Sequence, residues 1–167
     1  MRSWLAGSLS GLGVLLAAPL DAATTSSFQV TAQIVAGCLV VGGVSSFGTL
    51  DYGSQSALAS GVIGTSLGGS TVTFQCTPGV ALSMSVDGGQ NSASGTRNLK
   101  RTGGTQVLAY QLYRDAAYSQ SLGIGQSVAV SYTDPTAIKL PMYGRVQLTG
   151  TQPAGTYTDV VQVTVTW

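Results

Sequence analysis

Apolar and polar positions alternate along most of the chain beyond its first two dozen residues. In Phe28-Gln29-Val30-Thr31-Ala32-Gln33-Ile34 the apolar residues fall at 28, 30, 32 and 34. In Val161-Gln162-Val163-Thr164-Val165-Thr166-Trp167 they fall at the odd positions. A period of two puts every second side chain on one face of a strand. Alternation, with β-branched and aromatic enrichment, predicts strands at 28–36, 38–41, 47–52, 70–76, 81–86, 107–113, 128–132, 139–148 and 156–167. Pro141 suggests that the eighth of these lies at an edge or starts late. Breakers separate the strands, among them Thr77-Pro78-Gly79, Asp87-Gly88-Gly89, Asp134-Pro135 and Gln152-Pro153-Ala154-Gly155. No stretch sustains a helical period. Short strands at this spacing predict an all-β domain, a sandwich of immunoglobulin-like type.

Two strands stand out. The apolar face of 28–34 runs along roughly 20 Å, at about 3.4 Å per residue. Such a strand packs either in its own sandwich or in a neighbouring molecule; periodicity alone favours the first. The second is 156–167. Its apolar face carries Val161, Val163, Val165 and Trp167, and the chain stops within the strand pattern on a large aromatic. A sandwich expected to continue into one more strand would keep an open edge there, which proteins ordinarily blunt.

Residues 1–23 read differently. Arg2 precedes an uncharged apolar run over 4–18, and small residues follow at Ala22 and Ala23. This is the pattern of a secretory signal peptide. The run falls short of the roughly 20 apolar residues of a spanning helix. Removing it takes Arg2 and Asp21, so 7 Lys+Arg against 6 Asp becomes 6 against 5 and the balance stays at +1.

Composition narrows the chemistry. Of 167 residues only 8% are charged, against roughly 25% in a typical soluble domain. Histidine and glutamate are absent and Gly reaches 23. A histidine base, a histidine metal ligand and a polybasic nucleic-acid footprint are thereby excluded. Cys38 and Cys76 are the only cysteines. In an oxidising compartment they read as one disulfide, and loop entropy assigns such a closure roughly 4 kcal/mol. Free thiols or a metal site are the competing readings, but two cysteines without histidine do not make a closed zinc site.

Other candidates for chemistry are weak. Serines lack a histidine partner, and Lys100 and Lys139 sit in no Ser-x-x-Lys motif. Leu122-Gly123-Ile124-Gly125 leads into a strand-like run and not a helix, so it is a poor phosphate loop. Arg97, Lys100 and Arg101 are the one basic cluster and read as a solvated hairpin edge. Tyr110 and Tyr113 have opposite parity, which argues for packing on opposite faces and against a shared sugar platform with Tyr118. Met84 reads as core. No catalytic residue, metal site or cofactor is expected.

The landmarks resemble a known family. They are Val35-Ala36-Gly37-Cys38, Phe47-Gly48-Thr49-Leu50-Asp51-Tyr52-Gly53 and Phe74-Gln75-Cys76-Thr77-Pro78-Gly79. Leu108-Ala109-Tyr110-Gln111-Leu112-Tyr113-Arg114-Asp115, Tyr143-Gly144-Arg145-Val146 and Pro153-Ala154-Gly155-Thr156-Tyr157-Thr158-Asp159 follow. In order and spacing the chain resembles the spore coat protein U domain family, which includes subunits of archaic (Csu-type) chaperone–usher pili. The resemblance implies an incomplete immunoglobulin-like β-sandwich that lacks its final strand and is completed by donor-strand exchange. It implies a periplasmic pilus chaperone, an outer-membrane usher and other pilus subunits as partners, and a secreted, cell-surface location. Phe28, Val30, Ala32 and Ile34 become the donor residues, and Val161, Val163, Val165 and Trp167 flank the acceptor groove and chaperone contact. The organisation expected is a signal peptide over 1–23, a donor segment over 24–36 and a pilin domain over 37–167. With one domain and its own donor-like strand, a shaft or adaptor subunit supporting adhesion and biofilm formation fits better than a two-domain tip adhesin. The alternative is a self-contained secreted adhesin or spore-coat-type binding module that uses its loops.

Overall fold

The computed structural model describes residues 27–43, 46–67 and 72–167. The expected signal peptide lies outside the described residues. The chain divides into two units, residues 1–34 and 35–167. In the first, residues 27–34 form no strand, and Phe28, Val30, Ala32 and Ile34 are exposed. The strand expected over 28–36 is therefore not formed: its alternation is present, but a strand exists only with a ladder partner.

The second unit is all-β. Among its described residues the strands are β1 Cys38–Val40, β2 Ser60–Ser66, β3 Phe74–Cys76, β4 Leu82–Val86 and β5 Arg97–Arg101, then β6 Val107–Tyr113, β7 Val128–Val130, β8 Tyr143–Thr149, β9 Tyr157–Thr158 and β10 Val163–Thr166. A five-stranded sheet runs β2-β8-β6-β5-β9, a three-stranded sheet β10-β4-β7, and β1 pairs with β3. All pairs are antiparallel. Alternate residues of β4 (Leu82, Met84, Val86), β6 (Tyr110, Leu112) and β8 (Val146, Leu148) are buried in one cluster, so two sheets share a core. Met84 sits there as expected. Among the described residues no helix is long and apolar enough to cross a membrane.

The Cys38–Cys76 disulfide is formed, with Cα atoms 4.0 Å apart, and fastens β1 to β3 at their paired ends. Thr77 N–H donates to the Gly37 carbonyl at 2.9 Å and extends the same pairing.

Three differences from the sequence expectation have physical causes. The segment 47–52 is not a strand, because among the described residues no neighbour pairs with its backbone. β2 and β5 were not anticipated. In β2 only Val62 and Ile63 are large apolar residues, and glycines 61 and 64 break the alternation. In β5 the charges of Arg97, Lys100 and Arg101 suggested solvent, yet the Arg97 side chain is buried. The long terminal strand splits in two, since β9 belongs to the five-stranded sheet and β10 to the three-stranded one.

Candidate functional site

The crossing between the two sheets, at residues 159–162, shapes the site. One side of this crossing is pinned to the turn after β4. Gln90 N–H donates to the Val160 carbonyl at 3.1 Å, and Asp87 N–H to the Gln162 carbonyl at 3.0 Å. Gln162 N–H returns to Asp87 Oδ1 at 2.9 Å. Asn91 N–H and Nδ2 donate to Asp159 Oδ1 at 3.1 and 3.0 Å. The other side carries no such bonds among the described residues. β9 and β10 are each the edge strand of their sheet.

Opposite this free edge runs the segment 46–52. Between the two lies a cavity of about 700 Å³. Phe47, Leu50 and Tyr52 form one bank, Val161 and Val163 the other, and Leu99, Tyr110, Leu112 and Met142 the floor. A second cavity, of about 530 Å³, shares Leu50, Tyr52, Leu99 and Asp159 with the first and adds Leu108, Val146 and Leu148 to the floor. The two join into one groove along β9 and the start of β10, with an apolar floor and banks of mixed character, where Thr49, Asp159, Gln162 and Thr164 also line it. Neither bank has a ladder partner on its groove side among the described residues. The segment 46–52 is anchored by side chains instead, with Thr65 Oγ1 donating to the Asp51 carbonyl at 2.6 Å.

A polar network underlies the middle of the groove. Arg97 stands opposite Tyr110 in the β5–β6 register. Its Nε donates to the Asp87 carbonyl at 2.7 Å, Nη1 to Leu122 at 2.6 Å, and Nη2 to Val86 at 2.8 Å and Gly123 at 3.3 Å. Burial pushes the guanidinium below its usual pKa, while Tyr110, Asp87 and Asp159 oppose this. The Tyr110 hydroxyl donates to Asp159 Oδ2 at 2.8 Å. Burial first, and then that bond to the carboxylate, raise the Tyr110 phenol well above the ordinary tyrosine value. Gly89, at φ +79°, lies against the same carboxylate, where a Cβ would collide.

The expected acceptor residues separate. Val161 and Val163 line the groove, Val165 packs against the core cluster, and Trp167 is 58% exposed. The Trp167 indole lies near Gly37, its Nε1 4.0 Å from where a Cβ would stand. Phe47, Leu50, Tyr52, Leu99 and Asp159 were not singled out from sequence as groove residues. Arg97 is no solvated edge: Leu99, two residues on, shares its face of β5 and was the available signal. Tyr110 points inward, whereas Tyr113 lies on the outer face near Tyr118, with ring centroids 5.4 Å apart. Arg145 stacks over Tyr118 at 4.8 Å. Among the described residues no three His, Cys, Asp or Glu side chains converge as a metal site would require.

Residues 24–164 match the spore coat protein U domain, and the chain belongs to that family. Protein U of Myxococcus xanthus is 24% identical over all of this chain and 98% of its own length. The fold is similar to that of a chain in the CsuC–CsuE chaperone–tip adhesion subunit pre-assembly complex from archaic chaperone–usher Csu pili of Acinetobacter baumannii. There the TM-score is 0.50 at 18% identity, covering 80% of this chain and 40% of that one. A fainter likeness, TM-score 0.46 at 16% identity, links 78% of this chain to 41% of a chain from a CFA/I fimbrial chaperone–tip adhesin complex. The protein thus spans about two-fifths of these two solved chains.

Proposed function

We propose that this protein is a structural subunit, shaft or adaptor, of a chaperone–usher pilus and polymerises by donating its N-terminal strand to the groove of the next copy. The observation that carries this reading is the open groove between residues 47–52 and β9–β10, neither of which has a ladder partner on the groove side among the described residues. An inserted strand would pair with the free edge of β9–β10, cover Leu99, Tyr110 and Leu112, and complete the sandwich. The segment over 24–36 has the chemistry for this. Its alternating face of Phe28, Val30, Ala32 and Ile34 is exposed, and three large apolar side chains at about 1.5–3 kcal/mol each would favour burial. Family membership and the fold shared with the Csu complex support the same reading.

In this account residues 1–23 are a signal peptide and 37–167 the acceptor domain. A periplasmic chaperone covers the groove during export, an outer-membrane usher exchanges it for the arm of a second subunit, and the fibre supports adhesion and biofilm formation. The contact is head-to-tail and does not close on itself, so it builds a fibre and not a ring.

The test is the assembly state of the full chain, secreted with its chaperone and usher. Wild type should give denaturant-resistant ladders of multiples. Val30→Asp/Ile34→Asp should give monomers, because two carboxylates would have to lie unpaired over the groove's apolar floor. Ladders of undiminished length from the double variant would reject the arm as donor.

A further inference from the structure

β2 is the edge strand of the five-stranded sheet on the side away from β9 and the groove. Leu67 N–H donates to the Met142 carbonyl at 2.9 Å and continues the β2–β8 ladder, in which Thr65 faces Gly144 and Ile63 faces Val146. The odd-numbered residues therefore direct their main-chain groups at β8, and those of Ser60, Val62, Gly64 and Ser66 point outward. Among the described residues nothing pairs with that side. All four residues are exposed, Val62 by 51%. Edge strands are ordinarily blunted by lysine, proline or a bulge. β2 has none of these. Its seven residues pair with β8 without interruption, and no charged residue falls between Asp51 and Asp87.

The edge is also self-complementary. When two copies of β2 meet antiparallel about a twofold axis at Ile63, Ser60 stands opposite Ser66 of the second copy and Val62 opposite Gly64. Every outward N–H and carbonyl is then paired. On the outer face Gly64 leaves room that the hydroxyl end of Tyr118 fills, where a Cβ would collide. Tyr118 is held in place, its N–H donating to the Asp115 carbonyl at 3.1 Å and Arg145 stacking over its ring at 4.8 Å. The exposed Val62 of the second copy comes up against Gly64 and that ring, an apolar–aromatic cross-strand contact of the kind that stabilises sheets. With no charge on the strand, two identical edges meet without repulsion.

We propose that β2 is a docking edge for the β2 strand of a second copy of this chain, antiparallel and in the register centred on Ile63. This goes beyond strand acceptance and does not rest on it. β2 and β9 are opposite edges of one sheet, so copies joined through the groove could still pair side by side through β2.

The experiment uses the full chain carrying Val30→Asp/Ile34→Asp, which removes the arm as a donor and leaves β2 untouched. Sedimentation velocity of this parent should show a monomer–dimer equilibrium in the micromolar range. Adding Ser60→Lys/Ser66→Lys sets lysine against lysine at both ends of the shared ladder and should weaken the dimer about 10-fold. Ser60→Lys/Ser66→Asp sets lysine against aspartate at the same two places and should restore it. Both positions are exposed, so melting points should not move. In the parent dimer the amides of Val62 and Gly64 should exchange more slowly than in the monomer, a readout that needs no lysine variant. A parent that stays monomeric overturns the inference and leaves strand acceptance standing. A dimer that both charge variants weaken alike, or that neither affects, overturns it too, as does a dimer whose Val62 and Gly64 amides gain no protection.

Discussion

Arg97 is buried with its charge directed at main-chain carbonyls. Its guanidinium serves the carbonyls of Val86, Asp87, Leu122 and Gly123, joining the end of β4 to the loop before β7. Truncation takes the donor from the Asp87 and Leu122 carbonyls, at about 1–3 kcal/mol for each buried one, while the Val86 and Gly123 carbonyls keep the N–H groups of Gly125 and Gln126. Arg97→Ala should therefore lose about 3 kcal/mol or more in urea denaturation. A loss below about 1 kcal/mol would show the network to be dispensable. Gly89 tests the same region from the other side. Gly89→Ala adds a side chain at positive φ and displaces the Asp159 carboxylate from Tyr110. It should cost at least about 1 kcal/mol; an unchanged melting point would mean the carboxylate has room to move. Asp134 offers a milder, pH-dependent case. Thr136 Oγ1 and N–H donate to its carboxylate at 2.6 and 2.8 Å and hold it below the usual aspartate range. A lowered folded value means the bonds help most above roughly pH 4 and fade as pH falls through that value. Thr136→Val should move the Asp134 titration upward in an NMR pH series.

At the scale of elements, much was legible in the sequence. β6 coincides with its expected bounds, and β1, β3, β4, β7 and β8 fall within a few residues of theirs. In each, alternation reflects one buried face. β2 failed because glycine supplies no apolar signal: Gly64 is where the Tyr118 ring rests on the sheet. β5 failed because a buried arginine looks like a surface one until its carbonyl partners are known. The segment 47–52 is the most telling miss. Phe47, Leu50 and Tyr52 have strand composition, but backbone pairing depends on a neighbour that is not found there among the described residues. Parity placed Val161 and Val163 on one apolar face of the terminal strand, and both line the cavity, but it gave no signal for Leu99 or Asp159, whose positions depend on how the terminal segment crosses between sheets. The disulfide was readable by counting. Cys38→Ser/Cys76→Ser should cost about 2–5 kcal/mol and release β1 from β3. Hydrogen exchange at Leu39 and Gln75 would detect this, and unchanged protection there would count against the clamp.

For the whole molecule, the account joins one exposed alternating segment to one unfilled groove of matching chemistry. On the strand-acceptor proposal an added strand covers the groove along β9 and β10, so strand addition should raise the stability of the domain and not merely decorate its surface. The most direct measurement is thermal unfolding of two versions of the protein, with their assembly state. In the first, residues 24–36 are deleted; in the second, they are moved behind Trp167 through a short flexible linker, so that the chain can fill its own groove. The account predicts that the second version is monomeric and melts well above the first. Equal melting points, with both versions monomeric, would mean that the sandwich is complete without an added strand and that the protein does not assemble by strand exchange.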